Sequence, residues 1–126
     1  MMKITAKIVL IVMGTFIFSS CVYNIPVQEV LPPIEEEVSF ATDVVPIFDA
    51  QGCTNCHNGA SAATSLNLTA DVAYSNITDK GLVDLADPEN SKIYYLPLPT
   101  GSHFKKYTSQ QAQYVLTWIE QGAADN

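Results

Sequence analysis

Residues 53–57 read Cys-Thr-Asn-Cys-His, and no other stretch of the 126-residue chain restricts its fold as much. Two thiols separated by two residues, with an imidazole directly after the second, have to be brought to one place whatever the remainder does. A C-x-x-C pair can close as a redox-active disulfide, but a thioredoxin-like motif needs a βαβ setting, and no strand pattern of any length is visible. The pair can also be half of a zinc site. A closed structural site takes four ligands, and Cys53, Cys56, His57 and His103 reach that number. Cys56 and His57 are neighbours, however, and adjacent side chains seldom reach one tetrahedral ion with good geometry.

A third chemistry uses every residue of the motif. In C-x-x-C-H both thiols bond to the vinyl groups of haem, and the histidine binds the iron. Two intervening residues match the separation of the vinyls. The histidine follows directly, so that its ring comes over the iron as the peptide passes the porphyrin edge. The motif predicts one covalent haem c on Cys53 and Cys56, with His57 as the proximal iron ligand.

Attachment of this kind takes place outside the cytoplasm, so the start of the chain matters. It reads MMKITAKIVLIVMGTFIFSSC. Lys3 and Lys7 form a basic region, and Ile8 to Phe18 is a run of eleven mostly apolar residues. A bilayer-spanning helix needs about 20 residues, so the run is that of an export signal. Ser19, Ser20 and Cys21 resemble the lipobox of bacterial lipoproteins, in which the signal is cut before the cysteine and the thiol carries a diacylglycerol. Phe18 stands where that pattern usually has leucine. The other reading is an ordinary signal peptide or signal anchor. The lipobox predicts a signal over residues 1–20, lipidation at Cys21, and an exported domain anchored to a bacterial membrane and facing the periplasm or cell exterior.

After that cut, four lysines (80, 92, 105 and 106) face thirteen acidic residues, a formal net charge of −9, and the chain holds no arginine. Nucleic acid is bound by neutralising phosphates with Lys and Arg, so it is not an expected partner. An electrostatic membrane anchor is equally unsuited. The acidity fits an exported domain with basic partners.

Residues 21–38 contain three prolines and four glutamates, without helical or strand period. Such segments extend, and at about 3.1 Å per residue this one reaches on the order of 50 Å. It predicts a tether holding the domain clear of the lipid; the alternative is an arm lying on the domain. The domain itself then spans residues 39–126. Its 88 residues are short for a self-sufficient core, so a staple or cofactor is expected to help.

Four helical patterns occur there. Phe40, Val44, Ile47 and Phe48 have helical spacing, with a start or kink at Pro46 and a stop at Gly52. Thr69 precedes a short run with Val72, Ala73 and Ile77. Asp87 and Pro88 offer an N-cap and an N1 residue to DPENSKIYY. In TSQQAQYVLTWIEQGA, Thr108 and Gln111 form a capping box, Ala112, Val115, Leu116 and Ile119 make one stripe with Trp118 beside it, and Gly122 is placed to end the helix. The expected class is small and all-α.

The stretches VVPIFDAQGCTNCHNG, LNLTADVAYSNI, DPENSKIYY and YTSQQAQYVLTWIEQGA together resemble class I-type cytochrome c domains, and more closely the small cytochrome c domains common in planctomycetes and Bacteroidetes. The resemblance covers about residues 39–124. It implies a class I-like cytochrome c fold of three to five short helices around one covalent haem. It also implies that the first and last helices cross, with Phe48 and Trp118 meeting near the crossing. Many relatives take a methionine before the final helix as sixth iron ligand. All three methionines (Met1, Met2 and Met13) fall within the signal. The corresponding stretch, LPLPTGSHFKKYT, contains His103, 46 residues after His57. His103 is therefore the expected distal ligand. The alternatives are a solvated loop histidine with a vacant or water-bound site, or ligation by Lys105, Lys106 or a tyrosine; lysine must first lose a proton at a cost.

A six-coordinate haem has no open position for substrate. The resemblance thus implies a membrane-tethered monohaem cytochrome that is not an enzyme and passes electrons between exported redox protein partners. The competing expectation is an open-site haem protein that senses a diatomic gas or reduces peroxide, although no arginine is present to serve it. A third is an accessory lipoprotein with haem as a folding staple.

Overall fold

The computed structural model describes residues 30–60 and 65–126. The expected signal and Cys21 lie outside the described residues. Among the described residues the architecture is helical, with one isolated antiparallel bridge between Asn58 and Asn67 and no strand. No described helix is long and apolar enough to cross a membrane.

The first helical segment is a π-helical turn, Phe40–Val44, running straight into α1, Val45–Ala50. Pro46 explains the change of pitch. It donates no hydrogen bond, and its ring would strike the carbonyl four residues back in a regular helix. The wider turn avoids both: Val44 N donates to Ser39 O and Val45 N to Phe40 O, each five residues back. The Ser39 side chain caps the turn by accepting from Thr42 N.

α2 is Ala73–Asp79, with Ala73 and Ile77 buried. It starts four residues after Thr69, whose carbonyl accepts from Val72 and Ala73 in the turn that leads in. The pattern read as one helix after Asp87 is divided. A 3-10 turn, Pro88–Asn90, is followed at Ser91 by α3, Lys92–Tyr95. Asp87 makes no side-chain cap; its carboxylate accepts from the Asn90 amide instead. The break falls at Ser91, which is buried and donates from its hydroxyl to Asp84 O while accepting from Asp84 N.

α4, Ser109–Glu120, begins with both bonds of the Thr108–Gln111 capping box. Its buried face is Ala112, Val115, Trp118 and Ile119, with Leu116 only half-buried, so the stripe is turned toward Trp118. The aromatic partner of Trp118 is Phe40 rather than Phe48: their ring centroids are 4.9 Å apart, and Tyr74 meets Phe40 edge-on at 5.4 Å. Phe48 is fully buried elsewhere in the same core. The π-helical turn carries Phe40 onto α4, which is why the last helix packs against that turn.

Three helices end alike. After α1, Gly52 N donates to Asp49 O and Cys53 N to Phe48 O. This closure needs a left-handed residue, which Gly52 supplies at φ 64°. Gly81 and Gly122 close α2 and α4 with the same two bonds. Each closure delivers the next residue, Cys53, Leu82 or Ala123, back onto the core.

Residues 32–38, expected as the end of an extended tether, are held against α4. Gln113 Nε2 donates to Pro32 O, Gln121 Nε2 donates to Glu36 O, and Gln121 Oε1 accepts from Val38 N. Val38 is buried and Ile34 packs on the core. Ile34 and Val38 supply the apolar contacts of the segment, while Glu35, Glu36 and Glu37 between them stay exposed.

Candidate functional site

Cys53 starts a single turn. Cys56 N and His57 N both donate to Cys53 O, at 3.1 and 2.9 Å. The turn is followed by a short extended return. Leu68 N donates to His57 O at 2.8 Å, and the Asn58–Asn67 bridge fixes the register. Side chains alternate along extended backbone, so Leu66 and Leu68 both face the cleft beside His57. Asn67 holds the segment in place by accepting from Thr69 through Oδ1, while its own N–H donates to Asn76.

The opposite wall is the loop between α3 and α4. His103 N donates to Leu96 O at 3.0 Å and Tyr107 N to Pro97 O at 2.7 Å. Gly101 lies so close beneath that a Cβ there would be 2.3 Å from Leu96 O and 2.5 Å from Tyr95 O. Tyr107 is buried and donates its hydroxyl to Ile93 O at 3.1 Å. The loop is thus folded back on the end of α3, with His103 turned into the cleft.

Between these walls lies a cleft of about 140 Å³ that opens to solvent. Cys53, His57, Leu66, Leu68, Leu82, Ile93, Leu96, Pro97, His103 and Tyr107 line it, with Lys92 as the one charged residue.

Across the cleft the His57 and His103 ring centroids lie 5.9 Å apart, with planes 32° from parallel. Metal–imidazole bonds of about 2.0 Å, with each ring nitrogen about 1.1 Å from its ring centre, would place two axial imidazoles about 6 Å apart. The observed 5.9 Å is close to that spacing.

The ring nitrogens are deployed unequally. His103 Nδ1 is 3.1 Å from both the oxygen and the nitrogen of Lys105. With Nδ1 protonated it donates to the Lys105 carbonyl, and Nε2 keeps its lone pair; this is the tautomer a metal ligand needs. His57 Nδ1 is buried with no hydrogen-bond partner among the described residues. The Leu66 main chain is the hydrogen-bonding group that acts on this ring. Burial lowers the His57 pKa below its ordinary value, the neighbouring His103 lowers it further, and the Leu66 main chain partly offsets them. A neutral ring is what a metal binds.

Cys53 is buried in the cleft wall; desolvation pushes its thiol pKa up, and the Lys105 ammonium opposes the shift. Cys56 is exposed and not part of the wall. The structure therefore brings Cys53, His57 and His103 together and leaves Cys56 on the outer side of the same turn. No disulfide joins the two cysteines, and among the described residues no group of three His, Cys, Asp or Glu side chains is placed to hold a metal ion. Two imidazoles, apolar walls and a thiol at the margin instead suit a flat apolar group carrying a metal at its centre, and haem fits that donor set.

Leu66, Leu68, Leu82 and Tyr107 were not singled out from sequence as wall residues. The leucine alternation in SLNL was the available signal.

No protein-family model matches the chain, and no curated protein or solved structure matches it.

Proposed function

We propose that this protein is a monohaem c-type cytochrome with a class I-like arrangement, which passes electrons between exported redox proteins. The observation that carries the reading is the 5.9 Å spacing of the His57 and His103 rings across an apolar cleft. It is supported by the C-x-x-C-H turn, with Cys53 in the cleft wall. Cys53 and Cys56 would hold the group covalently, and His57 and His103 would bind its iron. When bound, haem supplies a one-electron iron couple.

The chain's own residues set the conditions for that couple. Leu66, Leu68, Leu82 and Ile93 give the cleft apolar walls. The Lys105 carbonyl orients His103 through Nδ1. Iron held by two imidazoles would have a lower potential than iron held by a His/Met pair and would leave no position for a substrate. Residues 1–21 support export and lipidation at Cys21 through their sequence alone, and anchoring to a bacterial membrane is part of the same proposal.

The test is an optical spectrum of the haem-loaded chain made in a periplasm with c-type assembly. The expected result is a low-spin oxidised spectrum, no response to carbon monoxide after reduction, and colour retained through acid–acetone extraction. Haem passing into the organic phase removes the covalent reading, and a carbon monoxide complex supports the open-site alternative. Detergent-phase partitioning that is lost in Cys21→Ser tests the anchor.

A further inference from the structure

Residues 32–38 dock on α4 through few contacts, and none of these belongs to the cleft. Gln113 and Gln121 hold the Pro32 and Glu36 carbonyls and the Val38 N–H. Asn126 Nδ2 adds Glu37 Oε1 at 3.0 Å and Val38 O at 3.4 Å. Of the segment's side chains, Ile34 and Val38 reach the core. No residue of the segment or of α4 lines the cleft.

Charge opposes this docking. Residues 39–126 hold four lysines against nine acidic residues, a net charge of −5, and Glu35, Glu36 and Glu37 bring three more negative charges to them. The three glutamates are exposed, and among the described residues the segment's hydrogen bonds go to glutamine and asparagine side chains, none to a lysine. Ordering a segment costs backbone and side-chain entropy. Two apolar side chains and a few hydrogen bonds at the solvent edge offset little more than that. Segments held so weakly open locally while the rest of a fold stays closed.

We infer that residues 32–38 are a releasable strap that sets how far the domain stands from the lipid. The inference rests on the reading of Cys21 as the lipidated residue. With the strap docked, ten residues, 22–31, separate that cysteine from the domain; with it released, seventeen do, 22–38. At about 3.1 Å per residue these reach about 30 and about 50 Å. Release therefore gives the domain on the order of 20 Å of further reach, toward a redox partner standing away from the membrane. Because cleft and strap share no residue, His57 and His103 keep their places in both states.

The test is neutron reflectometry of the lipidated, haem-loaded chain on a phosphatidylcholine bilayer. Ile34→Ser/Gln121→Ala should move the protein layer outward by about 10–20 Å, raise amide exchange at Glu36 and Val38, and leave the haem spectrum unchanged. The parent chain supplies a second route that needs no substitution. Lowering the salt from about 0.1 M to about 0.01 M lengthens the Debye length from about 10 to about 30 Å. Repulsion between strap and domain then grows, and the parent layer should move outward as well. A layer at one height in parent and variant, at both salt concentrations, overturns the strap and leaves lipidation standing. A spectrum that changes together with the height overturns it too, because the segment would then be part of the fold around the cleft. A chain that does not stay on the bilayer refutes the Cys21 reading and removes the stand-off role with it.

Discussion

His57 and His103 are separated by 46 residues of chain, and the fold sets their rings 5.9 Å apart and 32° from parallel. Each is held by a different device. His57 comes from the turn that opens at Cys53, and His103 from a loop folded back over α3. If both are axial ligands, His103→Ala should give a high-spin haem that binds carbon monoxide. His103→Met should raise the potential by on the order of 100 mV if the thioether reaches the iron. Nearly parallel imidazoles should also give a resolved rhombic low-spin electron paramagnetic resonance signal, not the single strongly anisotropic feature of perpendicular rings. A low-spin spectrum that survives His103→Ala would make Lys105 or Lys106 the next ligand to test.

Gly101 controls the same loop through space rather than charge. Its missing Cβ leaves room for Leu96 O and Tyr95 O, and both are main-chain atoms that cannot swing aside. Gly101→Ala should therefore cost about 1–3 kcal/mol, the range for forcing extra volume into a packed site. It should also raise the high-spin fraction, because His103 N bonds to the same Leu96 carbonyl. Chemical denaturation and the optical spectrum read the two effects separately. An alanine variant of unchanged stability and spectrum would show that the loop does not depend on this close approach.

The contrast between the two histidines also shows what was legible in the sequence. The motif at 53–57, the helix stops at Gly52 and Gly122 and the capping box at Thr108 are local devices, and local devices are written in adjacent residues. The all-helical class follows from them. The choice of Phe40 rather than Phe48 against Trp118 was not legible. It depends on the π-helical turn ahead of Pro46, which rotates Phe40 onto α4. Docking of residues 32–38 was only the alternative reading, since prolines and glutamates signal extension whether or not a neighbouring glutamine offers hydrogen bonds. The cleft walls are legible only after folding, because Leu66, Leu82 and Tyr107 come from three separate connections.

The docked arm has its own test. Gln121 spans it with both ends of its amide, accepting from Val38 N and donating to Glu36 O. Gln121→Ala should destabilise the domain by about 1–2 kcal/mol, the typical net value of one to two such bonds. Amide exchange at Val38 should rise with it, while exchange in the core of α4 changes little. Equal protection of Val38 in the variant and the parent chain would mean that the apolar contacts of Ile34 and Val38 hold the arm without the glutamine.

Tyr107 links the cleft wall to alkaline stability. Its hydroxyl is buried and donates to Ile93 O, and desolvation, aided by the nearby Cys53, pushes its pKa far above the ordinary tyrosine value. An unfolded tyrosine ionises near pH 10, whereas in the fold Tyr107 keeps its proton. Above that pH the native state binds more protons than the unfolded state, so stability falls as pH rises. The contribution is complete below about pH 10 and is lost progressively above it. Tyr107→Phe removes the bond and leaves Ile93 O unpaired, which should cost about 1–2 kcal/mol at neutral pH. The variant has no hydroxyl to ionise at this position, so its deficit should shrink as pH rises from about 9 to 11. Denaturation midpoints of the two haem-loaded chains across that range measure the gap. A gap that stays constant would mean that the hydroxyl ionises as readily in the fold as in the unfolded chain.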